Sequence, residues 1–318
     1  MYKSIILLIS LIVIIKGSSV PTKVVTFQNG AFVSQFQFYS LTNGSLIDSI
    51  SAPLDTVIAI TSIDTESVTY ISNQVGTFNF NSFDFKTQTN KVISSINFPN
   101  TNDVTFSFQQ ILTNAPSLNN VFTIYGKNST NYFYYLKLDF KNTIYTLVNI
   151  GENQILDGSY FSGGYDYFNS SFYYSYVSNY HCITFGSVDV NSLVPTVPER
   201  CIMTTTYNPF DINIPVVFNS TKYLISTMST ANSVQFELFA IIEGVIDSLP
   251  LFEFFNIAND PKNIIQPINY VTLNNEYLTL ALYSSLDKYQ YFTISLIDYS
   301  MSSVMGSPLS GVDAILTF

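Results

Sequence analysis

"YYLKLDFKNTIYTLV", residues 134–148, sets one acid, Asp139, between Leu138 and Phe140 in a run that otherwise alternates as a strand does. The same apolar-Asp-apolar triplet recurs as Phe83-Asp84-Phe85, Val188-Asp189-Val190 and Ile297-Asp298-Tyr299, at intervals of 55, 50 and 109 residues in chain order. The last interval is about two periods, and a fixed period of this size marks a repeat architecture. Each triplet ends an alternating run and is followed by a short polar turn and a second apolar run, which is the pattern of a β-hairpin. An Asp at a strand exit accepts hydrogen bonds from backbone N–H groups of the turn, so its repetition needs no catalytic role.

Two further strands precede each hairpin. The second unit reads "TVIAITS", "SVTYIS", "TFNFNSFDF" and "KVISSINF", and the third "DVTFSFQQI", "NNVFTIYG", "YFYYLKLDF" and "IYTLVNI". The fourth runs from about Tyr160 to Ile202, the fifth from Asp211 to Phe254 and the sixth from Ile268 to Pro308. Helical periodicity is not sustained anywhere after residue 19. The first unit ("KVVTF", "FVSQFQFYSL", "LIDSI") is one strand short, while the chain ends on an orphan strand, "DAILTF". A radial array of sheets closes when its last strand completes its first sheet.

The repeat resembles a β-propeller. The resemblance implies an all-β fold over residues 20–318, with six four-stranded antiparallel blades and the C-terminal strand completing blade 1. Tandem β-sandwiches would need a repeat near ~100 residues, and a seven-bladed ring is the other alternative. With no Trp the tryptophan-aspartate signature is missing, and no Gly-Gly pairs recur at blade spacing as in kelch repeats. The strand-exit Asp looks like that of pyrroloquinoline-type propeller repeats.

Composition agrees with strands buried on both faces: charged residues make up 11% of the chain and aromatics 16%, against a usual charged share of ~25%. Pro195 and Pro198 fall in the last strand of the fourth unit, an outer edge where a missing N–H costs little.

"MYKSIILLISLIVIIKGSSVPT" has a basic Lys3, an apolar stretch from Ile5 to Ile15, and small residues at Gly17 and Ser19. That is the layout of a cleaved secretory signal over residues 1–19. The competing reading, an uncleaved anchor, falls short of the ~20 apolar residues that span a bilayer. We therefore expect a secreted, extracellular protein without stable membrane insertion. The formal charge of -10, with basic residues scattered singly, argues against nucleic acid and favours cations or basic partners.

Cys182 and Cys201 flank the Asn191-Ser192 turn symmetrically. They are expected to face each other across two strands and form a disulfide worth about 3 kcal/mol; the alternative is two buried thiols. Sequons occur at Asn43, Asn128, Asn169 and Asn219, all in predicted turns. If strands alternate up and down, Asn128 lies alone at one end of the repeats, and we read the sparsely glycosylated end as the binding face.

Connectors leading into the innermost strands carry Asp55, Asp103, Asp157, Asp211, Asp260 and Asp313. Gathered at one mouth of an axial channel, such carboxylates would suit calcium; the plainer reading is that each bonds to its own connector, and Asp260, followed by Pro261, fits the cluster worst. His181, the only histidine, excludes His-pair metal sites and two-histidine acid-base schemes. With Tyr165, Tyr167 and Tyr180 it lies in the Tyr-rich stretch 160–181, where flat rings with polar tips suit sugar or protein contacts, or serve simply as core. There is no GxSxG elbow, phosphate-cradling glycine loop or CxxC pair.

Two functions follow: a non-enzymatic secreted binding module for an extracellular protein or glycan, or a calcium-dependent hydrolase. The second resembles six-bladed lactonases in blade count and axial carboxylates, and departs from them in its near-absence of histidine.

Overall fold

The computed structural model describes residues 20–28, 33–54, 56–74, 76–99, 121–130, 132–149, 161–166, 171–179, 182–189, 194–203, 213–218, 221–229, 234–242, 245–246, 252–254, 269–273, 276–284, 288–306 and 314–317, with Gly30, Val104, Gln109, Gln110, Asn191 and Ser192. Among them every regular element is a strand.

The first sheet contains β1 (Lys23–Gln28), β2 (Ser34–Ser40) and β3 (Leu46–Ala52). The second has β4 (Val57–Ile63), β5 (Ser67–Gln74), β6 (Thr77–Asp84) and β7 (Thr89–Asn97) in that spatial order, with the short β8 (Gln109–Gln110) beside β4. The third is β9 (Val121–Lys127), β10 (Phe133–Asp139) and β11 (Ile144–Asn149). The fourth is β12 (Phe161–Asp166), β13 (Ser171–Asn179), β14 (Cys182–Asp189) and β15 (Pro195–Met203). The fifth has β16 (Asn213–Phe218), β17 (Thr221–Ser229) and β18 (Val234–Ile242), whose outer edge takes both β19 (Val245–Ile246) and β20 (Phe252–Phe254). The last is β21 (Asn269–Leu273), β22 (Tyr277–Ser284), β23 (Lys288–Ser295) and β24 (Met301–Met305). The tail strand β25 (Ala314–Thr317) pairs antiparallel with β1, Val25 opposite Leu316, so the first sheet has the order β25-β1-β2-β3.

Two elements differ from the sequence expectation. "DVTFSFQQI" contributes β8, which pairs parallel with β4, Gln109 opposite Ala59, rather than joining β9–β11. Both are first strands of their units and run the same way, so a bridge between them is parallel. The fifth sheet's outer strand is divided: Pro250 stands between β19 and β20 in the chain and has no N–H for a ladder.

Adjacent residues point to opposite faces of a strand, and here both faces meet another sheet. On β1, Val25 and Phe27 pack with Phe36 and Phe38 against Val57, Ile60, Val68, Tyr70 and Phe83 of the second sheet. Val24 points the other way and joins Tyr39 in a cluster with Ala281, Tyr289 and Tyr291 of the last sheet. The second sheet repeats the scheme, its other face setting Ile71, Phe78, Phe80 and Ile96 against Phe122, Ile124, Leu136 and Leu138 of the third. Phe80 and Phe122 meet at a ring-centroid distance of 5.1 Å, and Tyr135 of the third sheet reaches Phe172 of the fourth at 5.4 Å. Such pairs add about 0.5–1.5 kcal/mol each beyond the area they bury. A polar bond also crosses the boundary between second and third sheets: Ser94 Oγ–H donates to the Phe140 carbonyl at 2.9 Å.

Outer strands are the exception to this burial. β3, β7 and β24 are mostly exposed, with Ile47, Val92, Ile93 and Met301 open to solvent. Between the first and last sheets the fit is close enough to need glycine. Gly44, in the β2–β3 turn, has φ +71°, and a Cβ there would stand 1.9 Å from the Met305 carbonyl oxygen. Burial pushes the phenol of Tyr39 up from its ordinary pKa and that of Tyr291 further still, with Tyr39 and Tyr289 adding to the effect at Tyr291. The Tyr39 hydroxyl donates to Gln37 Oε1.

Candidate functional site

In an antiparallel sheet successive turns fall at alternate ends. The strand-exit acids all sit at one end, closing the turns between third and outer strands. Asp139 Oδ1 accepts the N–H groups of Lys141 at 3.1 Å and Asn142 at 3.0 Å, while Asn142 Nδ2 donates to Oδ2 at 2.8 Å. Asp84 Oδ1 accepts from Thr87 N at 2.7 Å. Asp189 Oδ1 accepts from Asn191 N, Ser192 N and the Ser192 hydroxyl at 3.0, 2.6 and 2.7 Å. These carboxylates are consumed by their own turns, as the sequence pattern led us to expect.

Hydrogen bonding to the charged form depresses a carboxyl pKa. Thr87, through backbone and hydroxyl, lowers Asp84. Ser192 does the same for Asp189. At Asp139 partial burial works in the opposite direction and is outweighed by the Asn142 and Lys141 donors. Lys137 contributes favourably to both Asp139 and Asp189, so its charge links the acid turns of the third and fourth sheets.

Asp298 is built differently. β23 ends at Ser295, and Asp298 lies inside the following turn rather than at the strand exit. Ser295 Oγ takes the capping role, accepting Ile297 N and Asp298 N at 3.3 and 3.4 Å. Asp298 in turn accepts Ser300 N at 3.1 Å and the Ser300 hydroxyl at 2.8 Å. With hydroxyl donation from Ser295 and both Ser300 donors, its carboxyl is pulled down to about 2.

Three capping side chains were not singled out from sequence in this role. Asp64 closes the β4–β5 turn by accepting Glu66 N and Ser67 N, both at 2.7 Å. Asn43 and Asn128, noticed only as sequons, cap the β2–β3 and β9–β10 turns through Oδ1. The signal in all three is an Asx residue with a Ser or Thr two or three positions later at a strand boundary.

The other expected sites divide plainly. Asp55, Asp103, Asp157, Asp211, Asp260 and Asp313 lie outside the described residues, as do Tyr167, Tyr180, His181, Asn169 and Asn219 and the leader 1–19. Tyr165 is on β12, opposite Phe172 in register. Cys182 is opposite Met203, and Cys201 opposite Thr184, so the direct opposition from which the disulfide was inferred is absent. Register irregularities between Phe185 and Ser187 and between Ser187 and Val188 displace the pairing from the symmetric one; a bulge adds residues to one strand only. Among the described residues no three His, Cys, Asp or Glu side chains are grouped to hold a metal ion, and no helix is long and apolar enough to cross a membrane.

No protein-family model matches the chain, and no curated protein does. Among solved structures it is similar to TolB from Acinetobacter baumannii, with a TM-score of 0.53 and 10% identity, covering 92% of this chain; the chain spans 66% of TolB's length. A putative 6-phosphogluconolactonase from Bacteroides fragilis gives a TM-score of 0.49 at 8% identity, covering 95% of this chain and 99% of that one. The SapL1 lectin, solved with alpha methyl fucoside, gives 0.46 at 10% identity, covering 91% and 97%. At such identities the likeness is one of fold, and the fold is that of a β-propeller.

Proposed function

We propose that the chain is a secreted glycoprotein, its leader 1–19 removed, whose sheets stand as six blades in a ring closed by β25 on β1. It acts as a non-enzymatic binding module for an extracellular protein or glycan. The observation that carries this reading is the inequality of the two ends of the sheets. At the end of the acid turns, consecutive strands are joined by few residues, 85–88 and 140–143 among them, and the turn polar groups are engaged in capping. At the opposite end the third, fourth, fifth and last sheets are linked in chain order by the stretches 150–160, 204–212 and 255–268. Connecting stretches of that length are where rigid scaffolds carry recognition.

The test is a screen of the secreted protein against extracellular glycans and matrix proteins, followed by graded replacement. Substituting Gly-Ser linkers for 150–160 or 204–212 is expected to weaken binding at least about tenfold, whereas Lys86→Ala and Lys141→Ala at the other end leave it unchanged. Binding lost through the lysines and kept by the linker variants would reverse the assignment.

A further inference from the structure

At seven of the described strand-boundary turns an Asx side chain accepts backbone N–H groups, joined at the last sheet by Ser295. Asp serves at positions 64, 84, 139, 189 and 298. Asn serves at 43 and 128. A carboxylate is the stronger acceptor for backbone N–H groups, so on capping alone Asp would serve at all seven. The usual reason for Asn in a turn, tolerance of left-handed backbone, does not apply, since the described non-glycine residues with positive φ are Thr56, Gln88, Thr143 and Tyr299.

What Asn has and Asp lacks is the amide nitrogen. Both asparagines are followed two residues later by a hydroxyl that donates to the same Oδ1, Ser45 Oγ at 2.8 Å and Thr130 Oγ1 at 2.9 Å. The capping bonds given above are all accepted by oxygen: Ser45 N at 3.0 Å for Asn43, and Thr130 N and Tyr132 N at 3.1 and 2.9 Å for Asn128. A substituent on Nδ2 therefore leaves each turn intact. Asn43 is exposed, and Asn128 is half-buried with Ser129 and Thr130 exposed beside it.

We infer that Asn43 and Asn128 are N-glycan acceptors in which one side chain holds two roles, Oδ1 capping the turn and Nδ2 bearing the sugar. The donor is a lipid-linked oligosaccharide pyrophosphate. Nδ2 attacks the anomeric carbon, a C–N bond forms, and the bond from that carbon to the pyrophosphate oxygen breaks with its electron pair on the leaving lipid pyrophosphate. One amide proton is released and nothing is oxidised or reduced.

The inference rests on the secreted reading above, so the full chain is produced in a eukaryotic host behind a supplied secretory leader, which makes export independent of residues 1–19. Peptide mapping after amidase release in ¹⁸O-water is expected to mark Asn43 and Asn128. Release converts each to Asp, the residue of the other caps, so the thermal midpoint of the folded protein should shift by less than about 2 °C. Asn43→Asp and Asn128→Asp should each remove one glycan and fold. Ser45→Ala and Thr130→Ala, which keep the backbone bonds, should remove the same glycans. Unmarked Asn43 and Asn128 in the exported protein overturn the inference while leaving the binding reading untouched. Unfolding on amidase release would overturn the division of roles.

Discussion

The turn after Leu138 and the turn around Ile297 are spelled alike, apolar-Asp-apolar, and are constructed differently. At the first, Asp139 is a ladder residue opposite Ile144, and Leu138 is 0% exposed between the second and third sheets. Phe83 and Val188, in the equivalent places of two other sheets, are each 1% exposed. At the last sheet the ladder closes earlier, at Ile294 opposite Met301. The triplet is thereby carried into a longer turn where Ile297 is 62% exposed, and Ser295 assumes the position Asp139 holds in the third sheet. A three-residue pattern identifies a hairpin, but the ladder decides which of its residues reach the core.

The largest effect that separates the two turns is therefore expected at the leucine. Leu138→Ala removes a fully buried side chain and should cost about 2–5 kcal/mol in denaturant unfolding. Ile297→Ala at the matching letter should stay within about 0.5 kcal/mol. Equal losses at the two positions would mean that Ile297 is covered as Leu138 is, and the distinction would fall.

A second, smaller difference is electrostatic. The folded carboxyls of Asp84, Asp139, Asp189 and Asp298 all lie below the ordinary Asp value, Asp298 at about 2. A depressed folded pKa means that the unfolded chain binds protons first as pH falls. The stabilisation is thus complete above the unfolded value of ~3.9 and is lost as pH drops through the folded values. Thermal midpoints measured from pH 5 to pH 2 should fall, and a variant with all four changed to Asn should fall less. A carboxyl signal of Asp298 titrating near 4 by NMR would contradict the arrangement around Ser295. The alkaline limb has another origin: Tyr291 is raised by burial, so its part in stability is present below the unfolded value of ~10 and declines as pH rises beyond it.

Legibility in the sequence followed the locality of the cause. Alternation, turn residues and the recurring Asp identified β4–β7 and β9–β11 because each hairpin is encoded within a few tens of residues. The pairing of β25 with β1 was legible by a different route, from an orphan strand at one end of the chain and a shortfall at the other. Register was not legible in this way. Symmetry about Asn191-Ser192 implied that Cys182 faces Cys201, whereas irregularities near Ser187 set Met203 and Thr184 opposite them. Neither composition nor spacing reports where a bulge adds a residue to one strand of a pair. Asp64, Asn43 and Asn128 were overlooked as caps because their runs lack the apolar flanks of the triplet, although the hydroxyl that follows each was in view. The connector acids remain a matter of sequence alone, since Asp55, Asp103, Asp157, Asp211 and Asp313 lie outside the described residues.

The smallest expected effect asks whether the two turns share out their capping as described. In the third sheet one side chain does the work, so Asp139→Ala should cost on the order of 0.5–1 kcal/mol, held down by exposure to solvent, and Asp139→Asn should recover most of it by restoring an acceptor. In the last sheet Ser295 serves Ile297 and Asp298 while Asp298 serves Ser300. Neither Ser295→Ala nor Asp298→Ala alone should lower the thermal midpoint as far as Asp139→Ala does, because each leaves the other's bonds to backbone N–H groups in place. The double variant should, and its loss should fall short of the sum of the single losses, because each single variant already gives up the bond between the Ser295 hydroxyl and Asp298. Should Asp298→Ala alone match Asp139→Ala, Asp298 would be the principal cap after all, and the four triplets would be one device repeated.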